Sequence, residues 1–262
     1  MPLFHERRGH VSILTFSNPD QRNAWRQDYW EGLLEILPTL EQDAGTRCVV
    51  LTGDERGRAF CAGADLKNEH AHELDDIAAF IEGLPRNRRQ SPFELIGDFA
   101  KPIVAAVNGY AVGIGAILSF CCDLIVASEA AEWRLPQASL GILPASGASA
   151  RLAQWIGKGN AMRMALGFPL RAEEALQTGL AQWLVPADEL MSRAIEVAGQ
   201  IAALPPLAAR LTKESLNCGT DIPLSRAALG DLYRFAVLQM TEDKAEAHEA
   251  WRERRTPVFQ GR

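Results

Sequence analysis

Apolar and polar residues alternate over positions 9–17 (GHVSILTFS), a period of two that predicts a strand with one face turned inward. Over 27–40 the spacing changes. Trp30, Leu33, Leu34 and Ile36 fall on one helical face, and Pro38 predicts that this helix ends or bends there. Residues 47–52 (RCVVLT) form a short continuous apolar run, as expected of a strand buried on both faces. The stretch 68–91 is polar and irregular, with Pro85 and the run Arg86-Asn87-Arg88-Arg89, and predicts a helix-and-loop excursion. A helix follows over 93–99, then a second buried strand over 102–107, a buried helix over 113–122 and a third strand over 123–127.

Strands alternating with helices predict an α/β fold built from βαβ units. Beyond Gly147 the pattern is almost wholly helical, in pieces near 147–156, 158–166, 172–178, 187–203, 206–217, 222–240 and 242–253, with one strand over 180–185. The division expected is an α/β core with the ligand site over 1–200 and a C-terminal helical oligomerisation region over 201–262. Residues 103–122 carry no charge, enough to cross a bilayer as a helix. Asn108-Gly109 and the pair Gly113/Gly115 interrupt that run, so a strand, a turn and a buried helix are expected instead, and no membrane partner.

Composition narrows the choice of partner. A net charge of −6 and a pI near 5.5 argue against nucleic acid. The 47% hydrophobic and 23% charged residues are those of an ordinary globular protein. Five cysteines, odd in number and without paired metal spacing, predict no metal site and a reducing compartment. The opening residues show no charged stretch followed by an apolar one, so a cytoplasmic location is expected.

Chemistry concentrates in two small-residue turns, 59–67 (AFCAGADLK) and 108–115 (NGYAVGIG). Each places backbone N–H groups where they can point at a ligand, and two such turns brought together can hold one developing oxyanion.

In these blocks the chain resembles the crotonase superfamily, the enoyl-CoA hydratase/isomerase family. The match extends to Asn18-Pro19, Asn23-Ala24, KPIVAAVNGYAVGIG, Cys122-Asp123-Leu124, Leu140-Gly141-Ile142-Leu143-Pro144 and the ending Arg254-Arg255-Thr256-Pro257-Val258-Phe259. The resemblance implies a crotonase-like spiral of βαβ turns with a C-terminal helical region, homotrimers or homohexamers, and an acyl-CoA ligand. Coenzyme A would enter as part of the thioester, with no cofactor bound permanently. The resemblance also places the oxyanion donors at the N–H groups of Ala64 and Ile114. In other enzymes such a donor contributes roughly 3–4 kcal/mol of transition-state stabilisation. Arg22, Arg58 and Lys67 match positions near the CoA phosphates and adenine. Ala24, Ala62, Asp65 and Leu66 match further CoA contacts, and Phe259 matches an aromatic that walls the nucleotide, in some arrangements from a neighbouring subunit.

The family's hydratases carry one glutamate four positions after the first glycine of the GxG turn and another directly after a proline. Here those positions hold Ile117 and Gln137, and Ala145 occupies a third place the family uses for an acid. Isoleucine carries no proton, and a glutamine amide orients a water without acting as a base. General acid–base catalysis contributes about 10²–10⁴-fold, so ordinary hydration is not expected. Two readings remain open: an enzyme working mainly through its oxyanion hole, with Gln137 in the site, or a non-catalytic acyl-CoA-binding or regulatory paralogue.

Other candidates carry bland alternatives. His70 and His72 with Glu69, Glu73, Asp75 and Asp76 could supply a substitute acid or base. Glu94 and Asp98 share one helix face, by default solvated. Ser146 and Ser149 fall at a helix start, where serine caps.

Overall fold

The computed structural model describes residues 3–64 and 91–262. The chain opens with an antiparallel hairpin, β1 (Leu3–Arg8) and β2 (Val11–Phe16). Strands β3 (Cys48–Gly53), β5 (Ile103–Val107), β7 (Leu124–Ser128) and β10 (Trp183–Val185) then join β2 in parallel. The result is a six-stranded sheet of order β1-β2-β3-β5-β7-β10. A second sheet of order β4-β6-β8-β9 is made from β4 (Ala59–Cys61), β6 (Tyr110–Val112), β8 (Glu132–Arg134) and β9 (Leu170–Arg171).

Each turn of the α/β spiral therefore lays one strand in each sheet: β3 then β4, β5 then β6, β7 then β8. The second strand of each turn has three residues. That is too short for period two to register, so the whole second sheet went unpredicted. Hairpin partner β1 was missed for another reason: its LFHERR sequence is mostly exposed and carries no apolar stripe.

Strands β3 and β5 at the middle of the larger sheet are buried on both faces, as the continuous apolar runs predicted. Val49, Leu51, Ile103, Ala105 and Val107 face one core with the helices α1 (Gln27–Gln42) and α3 (Ile114–Cys121). Val50, Val104, Ala106 and Val126 face another, covered by Leu190, Ala194, Val197 and Ala198 of α6 (Leu190–Ala202). Between α1 and α3 in sequence lies α2 (Pro92–Asp98), which packs against both. Helix α4 (Ala148–Ala165) breaks at Gly157, where φ is 75°, matching the two predicted pieces. There follow α5 (Ala172–Thr178), α7 (Pro206–Gly219), α8 (Leu224–Gln239) and α9 (Glu242–Glu253).

Helix α1 does not end at Pro38 but runs through it to Gln42. Proline removes one ladder bond, but Leu37 and Leu40 on either side are buried in the core. Thr39 Oγ1 also donates to the Glu35 carbonyl at 3.1 Å, so packing and a side-chain bond hold the final turn. The charge-free 103–122 run resolves into β5, β6 and α3, and no helix among the described residues is long and apolar enough to cross a membrane.

Candidate active site

The two small-residue turns are in backbone contact. Gly63 follows β4 with φ at +88°, and a Cβ there would stand 2.8 Å from the Val112 carbonyl oxygen and 3.9 Å from the Gly113 nitrogen. Gly115 lies over Cys61, whose Cβ would be 2.8 Å from any Cβ added to it. Only glycine permits both approaches. Gly113 caps α3 with φ at +53°, and its N–H donates to the Arg134 carbonyl of β8 at 2.8 Å.

Ile114 is the first residue of α3. The Ile117 N–H donates to Gly113 O at 3.0 Å, so the Ile114 N–H stands ahead of the intrahelical ladder. The helix dipole adds positive potential at that point.

A third segment completes the frame. The Ala62 N–H donates to the Arg22 carbonyl at 3.2 Å, and the Trp25 N–H donates to Gly63 O at 2.8 Å, forming an isolated parallel bridge between Trp25 and Ala64. Arg22, Ala24, Ala62 and Ala64 are thereby brought together. The Arg22 guanidinium lies 5.7 Å from the centre of the Tyr110 ring, and that of Arg134 5.8 Å from it. Arg58 adopts a left-handed conformation (φ 49°), with its carbonyl packed against Gly109.

Asn23, between Arg22 and Ala24, holds this arrangement and was not singled out for that role. Its buried amide donates to the carbonyls of Asp54 at 2.9 Å and Ala59 at 2.7 Å, and its Oδ1 accepts the Asn18 N–H at 3.0 Å. The signal available in sequence was an asparagine where the chain must turn, since asparagine tolerates its φ of 54°.

Gln137 opens the 3-10 turn Gln137–Leu140 and lies beside the GxG turn, its Nε2 3.5 Å from where a Gly113 Cβ would be. The preceding strand β8 is tied to α3 from within: Trp133 Nε1 donates to Ser119 Oγ at 3.0 Å, and Ser119 Oγ donates to Ala116 O at 2.7 Å. Ile117 is 4% exposed and belongs to the core cluster. Both positions matched to the family's glutamates therefore flank the start of α3 without a carboxylate. Cys61, beneath Gly115, is no substitute nucleophile, because burial pushes its thiol up to about 12.

Several predicted residues fall elsewhere. Asp65, Leu66 and Lys67, with His70, His72 and their acidic neighbours, lie outside the described residues. Among the described residues no cluster of three or more His, Cys, Asp and Glu is placed to hold a metal. Phe259 is buried, its carbonyl accepting from Arg47 Nη2 at 2.7 Å, and nothing among the described contacts joins it to the paired turns. Glu94 is not on a solvated face: it is largely buried on α2 and lies 3.9 Å from Arg151 of α4, while Asp98 is exposed. The serines do not cap α4. Gly147 occupies its N-cap without a side-chain bond, Ser146 is left-handed (φ 55°), and Ser149 Oγ donates to Pro144 O at 3.4 Å. A cavity of about 820 Å³ opens at the far end of α3, lined by Phe120, Trp155, Leu204 and Leu216 around the ion pair Lys213–Asp123; Glu94 and Asp98 also line it, whereas Arg22, Ala24, Arg58, Ala62, Ala64, Ile114, Gln137 and Phe259 do not.

The family profile described as "Enoyl-CoA hydratase/isomerase" matches residues 6–262. The chain belongs to the enoyl-CoA hydratase/isomerase family. It is 35% identical over 261 residues to the 2,3-dehydroadipyl-CoA hydratase of Escherichia coli (strain K12), covering 99% of each chain. It is 33% identical over 262 residues to the (E)-benzylidenesuccinyl-CoA hydratase of Thauera aromatica, covering 100% of both. Among solved structures, an enoyl-CoA hydratase from Bacillus anthracis superimposes with a TM-score of 0.90 at 32% identity, again over 100% of both chains. Membership in the enoyl-CoA hydratase/isomerase family accounts for the two-sheet spiral and for the paired turns at its centre.

Proposed function

We propose that this protein binds an acyl-CoA thioester and stabilises the enolate formed from it, holding the enolate oxygen between the N–H groups of Ala64 and Ile114. The observation that carries the reading is the close approach of Gly63 to Val112 and Gly113 at the N-terminus of α3, which sets two donor-bearing turns side by side. Fixed amide donors in a site of low dielectric are suited to charge that develops on one oxygen. Relatives named for hydration of CoA esters support the ligand class.

The reaction we assign is not standard hydration, since Ile117 and Gln137 neither take up nor deliver a proton at neutral pH. Decarboxylation, retro-Claisen cleavage and double-bond migration lean more on the oxyanion hole. Arg22, Arg58 and Lys67 serve the CoA phosphates in this reading, and Ala24, Ala62, Asp65, Leu66 and Phe259 complete the CoA surface. Coenzyme A arrives with the substrate, with no other cofactor, and the protein works in the cytoplasm as a trimer or hexamer. A second reading, an acyl-CoA-binding or regulatory paralogue without turnover, is favoured by the place of Ile117 inside the core cluster.

The deciding experiment incubates the protein with enoyl-, β-keto- and malonyl-type CoA esters and follows product by mass spectrometry, alongside thermal unfolding with each ester. Binding to the native state alone adds RT ln(1 + [L]/Kd) to the free energy of unfolding and so raises the thermal midpoint. Turnover of any ester supports the enzyme, and stabilisation without product supports the binder. No thermal shift at saturating acetyl- or crotonyl-CoA removes both readings.

A further inference from the structure

Away from the paired turns, one charged head group lines a largely apolar cavity without a hydrogen bond. The cavity of about 820 Å³ at the far end of α3 is walled by Phe120, Trp155, Ile201, Leu204 and Leu216. Small-molecule sites usually enclose about 300–1,000 Å³. Trp155 uses its one polar atom on the Phe120 carbonyl, Nε1 donating at 3.2 Å, so its ring offers the space only hydrocarbon. Arg151 of α4 lines the same cavity with its side chain 30% exposed, and its guanidinium donates no hydrogen bond among the described residues. Glu94 stands 3.9 Å away, too far to take up those N–H groups. The backbone makes room for this head: a Cβ at Gly97 of α2 would lie 2.8 Å from Arg151 Nη2. Glycine inside a helix is disfavoured against alanine, so the room beside the guanidinium is kept at a cost.

A second cation borders the cavity. Lys213 of α7 has a side chain only 7% exposed, and its Nζ donates to Asp123 Oδ2 at 2.8 Å and to the Lys101 carbonyl at 3.1 Å. An ammonium has three N–H groups, so one is left without a partner among the described residues. The Asp123 charge is matched by Lys213 and by the Ile103 N–H, which donates to Oδ2 at 2.7 Å. Asp98 and Asp221, also at the cavity, are exposed to water.

We infer that this cavity is a second ligand site, and that it takes a monocarboxylate with an apolar chain. The carboxylate sits on the Arg151 guanidinium and the chain lies along Phe120, Trp155 and Leu204. A guanidinium fork matches both oxygens of a carboxylate, and such charge-assisted pairs are the stronger hydrogen bonds. A neutral ligand of the same shape forgoes them, and a cationic one is repelled by Arg151 and Lys213. The inference does not depend on the acyl-CoA reading, because neither Ala64 nor Ile114 lines this cavity.

The test is calorimetric titration of the full chain with sodium octanoate, against 1-octanol and octylamine as neutral and cationic probes, with and without excess crotonyl-CoA. Octanoate is expected to bind at least about tenfold more tightly than either control, and equally well when the CoA ester is present. Arg151→Lys keeps the charge without the fork and is expected to weaken octanoate about tenfold. Ala208→Trp, which fills the cavity from α7, is expected to abolish binding in a chain whose circular dichroism matches the wild type. Octanoate that binds no better than octanol or octylamine overturns the inference. Displacement by crotonyl-CoA, or unchanged affinity in folded Ala208→Trp, overturns it too, because the carboxylate would then lie elsewhere. Absence of octanoate binding together with dissociation of the assembly by Ala208→Trp also overturns it, and gives the cavity to a second copy of the chain.

Discussion

Asn23 shows how much of the site depends on a residue that touches no reacting atom. It sits fully buried with φ at 54° and ties three separate backbone groups, on Asn18, Asp54 and Ala59, to the turn that carries Arg22 and Ala24. Asn23→Ala leaves those groups unpaired and places a Cβ-bearing residue without local bonds in the left-handed region. The expected loss is about 2–4 kcal/mol in denaturant unfolding. Asn23→Gly removes the same bonds without the steric cost and is expected to be about 1 kcal/mol less damaging than Ala; equal losses would show that the backbone conformation is not what the residue supplies. At Ile117 and Gln137 the prediction concerns activity. The wild type is expected to hydrate crotonyl-CoA very slowly, and Ile117→Glu with Gln137→Glu is expected to raise that rate. Ile117 is 4% exposed, so a glutamate there has its pKa raised by burial and costs stability. A wild type with ordinary hydratase turnover in a crotonyl-CoA absorbance assay sinks the idea. Both positions were legible in the sequence through the resemblance, because each stands at a fixed offset from a glycine or proline. The structural duty of Asn23 was not, because its three partners are spread from Asn18 to Ala59.

Among the elements, the C-terminal tail is held to α9 by carboxylates. Glu246 accepts from both terminal nitrogens of Arg255 and from the Val258 N–H, while Asp243 accepts the N–H groups of Gln260 and Gly261 at 2.6 and 2.8 Å. The Arg255 side-chain bonds hold the Glu246 carboxyl down to about 2, against an ordinary value of 4.5. A value lower in the folded than in the unfolded chain means that the unfolded chain takes up the proton first as pH falls. The stabilisation from Glu246 is therefore complete above about pH 4.5 and is lost as the pH drops towards 2. Thermal midpoints of the wild type should fall more steeply across that window than those of Glu246→Gln, and parallel curves would refute the assignment. This device was invisible in the sequence, where Arg255 stood only as part of the ending that carries the family resemblance and Glu246 and Asp243 were not singled out. The helices were far more legible. α5 and α9 appear with their predicted limits, and α4 breaks at its glycine, because helical periodicity and glycine punctuation are local properties.

For the molecule as a whole, α8 carries much of the unpaired apolar surface. Leu224 is 84% exposed and Met240, just past its end, 80%, with Leu232, Tyr233 and Phe235 exposed between them. A set of large exposed apolar side chains on one helix of the C-terminal region is the kind of surface that marks an association site. Light scattering at micromolar concentration is expected to show a trimer or hexamer, and Phe235→Glu with Leu232→Glu to shift it towards monomer. A wild type that is monomeric throughout would contradict the assembly. The ion pair between Lys213 of α7 and Asp123, 2.8 Å apart and backed by the Lys101 carbonyl, fastens this helical region to the junction of α3 and β7.

By itself, the sequence determined the α/β class, the doubly buried strands of the larger sheet, most helix limits, and the two glycine turns with their missing carboxylates. These follow from short-range patterns: apolar periodicity, glycine where φ is positive, and motif spacing. Only the tertiary structure decided that a second sheet of strands mostly three residues long exists, that α1 survives Pro38, and that Glu94 faces Arg151 rather than water. It also decided that Gly63 and Gly113 meet, and that the Gln137 oxygen is left unpaired beside them. Each of these depends on what lies across the fold, and a side chain's burial and partners are set by neighbours that the linear order of residues does not reveal.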